Sequence, residues 1–332
     1  MMETNPKPVQ TPLVSVLLCV FNGGKLLGDA VSSILNQTFE DYELIIVNDG
    51  STDSALDSIR RIADPRIRII DKDNSGLTHS LNVGIEHCRG VFIARQDADD
   101  LSCQDRLAAQ VGFMQSHPEV QALGSGVRLI DDDGDEIGEL VFPCDDEKIK
   151  AKLLQENQFV HGALMFRQSV LEAVDGYRET FTYAQDYDLM LRISDRGVVG
   201  NLPGKHYCLR FGTSRISIDH GREQRGFANL ARAMSRQRQN NQLDDIAQGI
   251  FTESLEPYLD QHFSTSQGEV MLYLYCRSHL KPKIRASAKT LLRQNPKLNQ
   301  KIKYRLIYLL SLLPGNWVCW IYRYIDRIGA QR

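Results

Sequence analysis

The residues best suited to chemistry stand at Asp97-Ala98-Asp99-Asp100, where the apolar run Val91-Phe92-Ile93-Ala94 passes through Arg95 and Gln96 into three carboxylates. Carboxylates this close repel one another unless a cation or a turn holds them. Hard divalent cations such as Mg²⁺ are bound through one or two carboxylates plus substrate phosphates, so Asp97 and Asp99 read as a metal–phosphate site. The same residues also suit an Asp-rich turn leading into a helix. A second acidic run, Asp131-Asp132-Asp133-Gly134-Asp135, carries the Asp-Gly signature of a hairpin turn and reads as a solvated loop. Asp186 stands at the start of a helical pattern continued by Leu189 and Ile193, where an acid meets the helix dipole. Asp188 is placed to pair with Arg192 at i+4. His161 suits a hydrogen-bonded core position and a ligand role equally.

The elements around these residues separate the two readings of the acidic cluster. Val14–Val20 is a near-continuous apolar run, as in a buried parallel strand, and it ends at Phe21-Asn22-Gly23-Gly24. An amphipathic helix follows, with Leu26, Leu27, Ala30, Val31, Ile34 and Leu35 on one face. Leu44–Val47 gives a second strand, ending in Asn48-Asp49-Gly50, and Ser54 to Ala63 a second helix. Ile67–Ile70 gives a third strand, followed by Asn74-Ser75-Gly76 and a helix over Leu77–Cys88; Val91–Ala94 is the fourth strand. This cadence predicts an α/β fold with a largely parallel sheet. Open α/β sheets bind ligands at the carboxyl edge of their strands, so Phe21, Asp49, Ser75-Gly76 and Asp97–Asp99 are expected to converge in one crevice. Beyond a helix over Gln104–Ser116, Gly126–Ile130 and Ile137–Phe142 read as a hairpin and His161–Arg167 as a further strand. No Gly-x-Gly-x-x-Gly follows the first strand and no Gly-x-x-x-x-Gly-Lys-Ser/Thr occurs, which excludes the dinucleotide fingerprint and the P-loop.

Composition is that of an ordinary soluble globular chain, but charge is unevenly spread. From Lys281 onward twelve Lys and Arg face a single acid, Asp326, so this tail carries +11 within a chain whose net charge is -3. Its apolar stretches are interrupted by Pro314-Gly315, which disfavours one continuous spanning helix. Basic residues beside Trp317, Trp320, Tyr322 and Tyr324 fit an interfacial amphipathic segment meeting an anionic membrane surface. A nucleic-acid partner is not expected. The cysteine count is odd, with no Cys-x-x-Cys pair, which reads as free, mostly structural thiols in a reducing compartment. The N-terminus lacks the apolar core of a signal peptide. A cytoplasmic protein, peripheral at the membrane through its tail, is the expectation.

An ordered set of motifs resembles the family 2 glycosyltransferases. It comprises Val14-Ser15-Val16 with Phe21-Asn22, Ser33 to Phe39, Glu43 to Asp53, Asn74-Ser75-Gly76-Leu77, Leu81 to Ile85, Ile93 to Asp100, Arg106-Leu107 with Gln110, and Ala184 to Arg192. The resemblance covers residues 13 to about 217. It implies a GT-A fold, a Rossmann-like mixed sheet flanked by helices, over 13–219, with a donor half to about 124 and an acceptor half from about 125. A short tail (1–12) would precede this domain, and a helical, basic extension (220–332) would follow it. It further implies an inverting, metal-dependent transfer from a nucleotide-sugar, commonly a UDP-sugar, to a glycan or lipid-linked acceptor in cell-surface polysaccharide synthesis. Carried over by position, Phe21 packs on the base and Asp49 hydrogen-bonds it, with Asn22, Ser75, Gly76 and Ala98 lining the donor pocket. Asp97 contacts the ribose or the metal shell, Asp99 binds Mn²⁺ or Mg²⁺, Arg95 offsets phosphate charge and Asp186 is the base.

Three positions depart from the pattern: Asn48 replaces a frequent aspartate, Gln185 replaces the Glu beside the base, and Gly212 stands where a histidine is common. A sugar-1-phosphate nucleotidyltransferase is the competing enzyme reading, but Gly23-Gly24-Lys25 poorly matches the Gly-rich basic loop it needs. A non-catalytic nucleotide-sugar-binding subunit is the third, and retention of Asp99 and Asp186 argues against it.

Overall fold

The computed structural model describes residues 11–211, 221–244 and 246–247. Val14–Val20 forms β1, and all seven of its residues are buried, which is why its sequence is apolar without alternation. It pairs in parallel with β2 (Tyr42–Asp49) on one side and β4 (Phe92–Gln96) on the other. β3 (Ile67–Lys72) extends the sheet beyond β2, again in parallel. The chain therefore lays down β1, β2 and β3 in one direction and then returns across β1 to place β4. That reversal is a topological switch point, and the crevice of an open α/β sheet lies there, outside the strands' carboxyl ends.

The other half of the sheet is mixed. β8 (Met165–Arg167) runs antiparallel to both β4 and β6 (Val120–Ile130), whereas β9 (Val198–Arg210) runs parallel to β6. β5 (Leu101–Ser102) is antiparallel to β9, and β7 (Glu136–Leu140) is antiparallel to β6. Side chains of β1 divide the core by their alternation. Val16, Leu18 and Val20 join α1 (Leu26–Leu35) and α4 (Arg106–Ser116) in one cluster. Leu17 and Cys19 join α3 (Leu77–His87), α7 (Gln185–Ser194) and α8 (Gly221–Gln239) in the other. Phe227, Leu230, Ala231 and Met234 of α8 are buried there, so this helix shares the body's core.

Several sequence expectations need correction. The second helix, α2, spans only Ala55–Ile59; beyond it the Arg61 and Ile62 N–H groups donate to carbonyls three residues back, so the chain continues as tight turns. His161–Arg167 is not one strand: His161–Ala163 is a 3₁₀ turn and only the last three residues enter the sheet. β9 was hidden by Pro203-Gly204, which reads as a loop; the sheet absorbs the pair as a register shift between Ser125 and Gly126. Two short helices complete the domain, α5 (Asp146–Leu153) and α6 (Gln168–Ala173). No helix among the described residues is long and apolar enough to cross a membrane. Gly212 and the basic tail from Lys281 lie outside the described residues.

Candidate active site

Loops from adjacent strands are laced together where β1 and β2 end. Asn22 adopts a left-handed conformation (φ 53°). Its Oδ1 accepts from the Thr52 N–H at 2.8 Å and the Asp53 N–H at 3.3 Å, and its own N–H donates to Ser51 Oγ at 3.0 Å. Asn22 thereby fixes the turn carrying Phe21, a residue that is 53% exposed. An exposed aromatic held on a rigid turn offers a stacking face.

Asp49, at the end of β2, is buried, and both of its oxygens accept hydrogen bonds. Its Oδ1 accepts from Lys72 Nζ at 2.5 Å and the Ser75 N–H at 2.9 Å, and its Oδ2 accepts from the Gly76 N–H at 3.0 Å. Burial alone would raise this carboxyl, but the hydrogen bonds from Lys72, Ser75 and Ser80 outweigh it and hold the group below its ordinary value. Lys72, which also hydrogen-bonds the Ser75 hydroxyl, carries no signal in the sequence beyond its place at a strand end. Gly50 lets this turn close: at φ +73°, a Cβ there would meet the Asn74 nitrogen at 2.7 Å.

The acidic turn follows β4 directly. Arg95 is 2% exposed; its guanidinium donates to Leu17 O at 3.1 Å, to Gln96 O and to Asp97 Oδ1 at 2.7 Å. Its work in the fold is thus to hold Asp97, rather than to stand in the open crevice as expected for a phosphate contact. Ala98 is partly buried against the core. Asp99 is exposed, and its carbonyl accepts from Arg210 Nε at 2.9 Å. Asp100 does not enter a helix: it is 1% exposed, and its carboxylate accepts from the Arg210 N–H at 2.7 Å. The chain continues into β5, and α4 begins only at Arg106.

Residues distant in sequence brace the turn from behind. The Asp97 N–H donates to the Tyr207 hydroxyl at 3.2 Å. Gly162 permits this approach, since a Cβ there would lie 2.1 Å from Tyr207 Oη and 2.7 Å from Asp97 Oδ2. Arg106 is fully buried and donates to Arg95 O, Leu164 O, Ser102 Oγ, Gln96 Oε1 and Gln110 Oε1. Desolvation pushes it down to about 10, so it remains a cation.

Asp186 faces the same region from α7. Ala184, left-handed at φ 55° and ψ 25°, precedes the helix, and Asn157 Nδ2 donates to Asp186 Oδ2 at 3.0 Å. Burial pushes Asp186 up to about 6 against the pull of the Tyr187 and Asp186 backbone N–H groups, and the charge of Asp97 raises it further. The two carboxylates therefore share one electrostatic environment. His161 bonds through Nε2 to the Tyr177 hydroxyl at 2.7 Å, and burial followed by the nearby Arg95 pushes it down to about 3, so it stays neutral. Asp188 pairs with Arg192 at 2.8 Å as the i+4 spacing suggested.

Among the described residues no group of three or more His, Cys, Asp or Glu converges as a metal cage. The acidic turn offers the carboxylates of Asp97 and Asp99. Such a set fits Mg²⁺ or Mn²⁺, which keep waters and take substrate phosphates as their other ligands, and does not fit a closed structural metal site.

A glycosyl transferase family 2 model matches residues 15–175. The chain is 35% identical over 206 residues to the putative glycosyltransferase EpsE of Bacillus subtilis, covering 60% of this chain and 73% of that protein. It is 35% identical over 184 residues to the O-antigen biosynthesis glycosyltransferase WbnJ of Escherichia coli, covering 54% and 71%. Among solved structures, S. aureus TarS 1–349 in complex with UDP-GlcNAc superposes with a TM-score of 0.53 at 16% identity, covering 90% of each chain.

Proposed function

The chain belongs to glycosyl transferase family 2 and has the GT-A fold, and from that premise we propose that it is an inverting transferase. Its donor is a nucleotide-sugar, a UDP-sugar by this reading, and its acceptor is a hydroxyl of a glycan or a lipid-linked saccharide in polysaccharide synthesis. The observation that carries the proposal is Asp186: a carboxylate pushed up to about 6 beside the Asp97–Asp99 turn. A base whose pKa lies near the working pH combines the correct protonation state with driving force.

In this reading the exposed Phe21 ring stacks on the base. Asp49 hydrogen-bonds the base at the end of β2, with Asn22, Ser75 and Gly76 fixing the surrounding loops. Asp97, steered by Arg95, meets the ribose side or the metal shell, Ala98 lines the turn, and Asp99 is the principal metal ligand. A bound Mn²⁺ or Mg²⁺ supplies Lewis-acid neutralisation of charge on the leaving diphosphate. Asp186 accepts the acceptor's proton as its oxygen bonds to the anomeric carbon and the bond to the diphosphate breaks on the opposite face. Holding both partners in one crevice makes the attack effectively unimolecular. Support for the donor and pathway comes from relatives: WbnJ is named for O-antigen biosynthesis, and TarS was solved with UDP-GlcNAc.

The test is a nucleotide-sugar panel scored by thermal stabilisation and slow hydrolysis with Mn²⁺ or Mg²⁺. A UDP-sugar is expected to respond, and Asp99→Ala is expected to abolish the metal-dependent part of its binding. Unchanged metal dependence in that variant would remove Asp99 as ligand, and silence across the whole panel would sink the donor assignment.

A further inference from the structure

The seven cysteines read from sequence as mostly structural, and two of them are. Cys19 and Cys88 are buried, and desolvation pushes both thiols up to about 12, which leaves them inert. Cys103 and Cys208 differ. The antiparallel pairing of β5 with β9 sets Leu101 opposite Cys208 and Ser102 opposite Tyr207, and the Cys103 N–H donates to His206 O at 3.0 Å. Cys103 and Cys208 thus become diagonal neighbours on one face, with their Sγ atoms 3.9 Å apart. Neither is fully buried. Both open on a groove of about 610 Å³ whose wall includes Ser33, Asn36, Asp105 and Arg128.

We propose that Cys103 and Cys208 form a dithiol site that low-molecular-weight disulfides oxidise to an intramolecular disulfide, and that this bond restrains the Asp97–Asp100 turn. The hydrogen bond from Cys208, with Arg128 nearby, lowers the Cys103 thiol to about 7 against its partial burial, so Cys103 is the attacking sulfur. Its thiolate attacks one sulfur of glutathione disulfide, forming a mixed disulfide and expelling one glutathione thiolate. Cys208 then attacks the Cys103 sulfur, expels the second glutathione, and its proton leaves with that glutathione. Two electrons pass from the two cysteines to glutathione disulfide, which is reduced to two glutathione molecules. Closing the pair from 3.9 Å to about 2.05 Å draws the two strands together. Both strands lead into the site: β5 follows Asp100 directly, and β9 carries Tyr207, which receives the Asp97 N–H. The effect on activity rests on the transferase reading; formation of the bond does not.

The test incubates the full chain with oxidised glutathione, then alkylates under denaturing conditions and maps peptides. Expected are loss of alkylation at Cys103 and Cys208, a peptide pair linked through them, and a fall in donor hydrolysis that dithiothreitol reverses. Cys208→Ser is expected to stop at a glutathione adduct on Cys103, and Cys103→Ser to keep its hydrolysis unchanged by the oxidant. Full alkylation of both cysteines, or a glutathione adduct in the native chain with no linked peptide, overturns the site. Linkage with unchanged hydrolysis in a chain active on its donor overturns the restraint on the turn.

Discussion

At Asp186 two opposing influences meet. Burial favours the neutral acid, whereas Asn157 and the α7 backbone N–H groups favour the anion, and burial prevails at about 6. Transfer should therefore rise with pH through a single limb near 6 and then level, because neutral His161, at about 3, adds no second limb there. A plateau extending unchanged to pH 5 would separate Asp186 from the catalytic step. The same shift predicts a stability effect of defined sign. A carboxyl whose folded pKa is raised stabilises the fold below its unfolded pKa, and that contribution is lost as pH rises through the folded value. Asp186→Asn should abolish transfer, keep donor binding, and unfold at a higher temperature than the native chain at pH 8. The gain is worth about 3 kcal/mol and should shrink towards zero near pH 4. Full transfer by this variant would remove Asp186 as base, and an equal stability difference at both pH values would mean that the ionised form is not disfavoured.

Between elements, the site depends on contacts that only the fold creates. Gly162→Ala places a methyl against the Tyr207 hydroxyl and Asp97. It should cost about 1–3 kcal/mol, as overpacking does, and lower transfer more than donor binding. Tyr207→Phe removes the nearest clashing atom but leaves Cζ 2.6 Å from the added methyl, so the pair should show partial, non-additive rescue in a double-mutant cycle. Strict additivity would deny the contact. Arg106→Met would take the guanidinium donors from Arg95 O and Ser102 Oγ, while Leu164 O would keep the Arg95 N–H. It should destabilise the fold by about 3 kcal/mol or more, seen as a lower urea midpoint; a neutral result would mean that water replaces the guanidinium. These cases also mark the limit of sequence reading. The βα cadence put Phe21, Asp49, Ser75, Gly76, Asp97 and Asp99 at strand ends, and strand ends of a parallel sheet share one edge by geometry. The placement of Asn157, Gly162 and Tyr207 depends on the mixed half of the sheet. There one strand is three residues long and another carries a Pro-Gly register shift, so neither periodicity nor turn chemistry gives their positions. The pairing of Asp100 is hidden for the same reason, because its partner, the Arg210 N–H, is 110 residues away.

For the whole molecule, charge separation is the property that no single site explains. The +11 segment from Lys281 to Arg332 belongs to a chain whose net charge is -3, so the remainder is strongly acidic and would be repelled by an anionic surface. Basic residues near such a surface contribute about 1 kcal/mol each and act within about a Debye length, roughly 8 Å at physiological ionic strength. Trp317, Trp320, Tyr322 and Tyr324 add apolar bodies with polar tips suited to the interface. A transferase with a lipid-linked acceptor would gain from that arrangement, since the tail would hold the crevice at the surface where the acceptor lies. The full chain is therefore expected to sediment with vesicles rich in anionic lipid and to remain in solution with zwitterionic ones. Raising salt should weaken the association, and deleting residues 281–332 should abolish it while leaving hydrolysis of a soluble nucleotide-sugar unchanged. Sedimentation that survives the deletion would move the membrane contact into the acidic body, and indifference to both lipid charge and salt would remove the electrostatic argument.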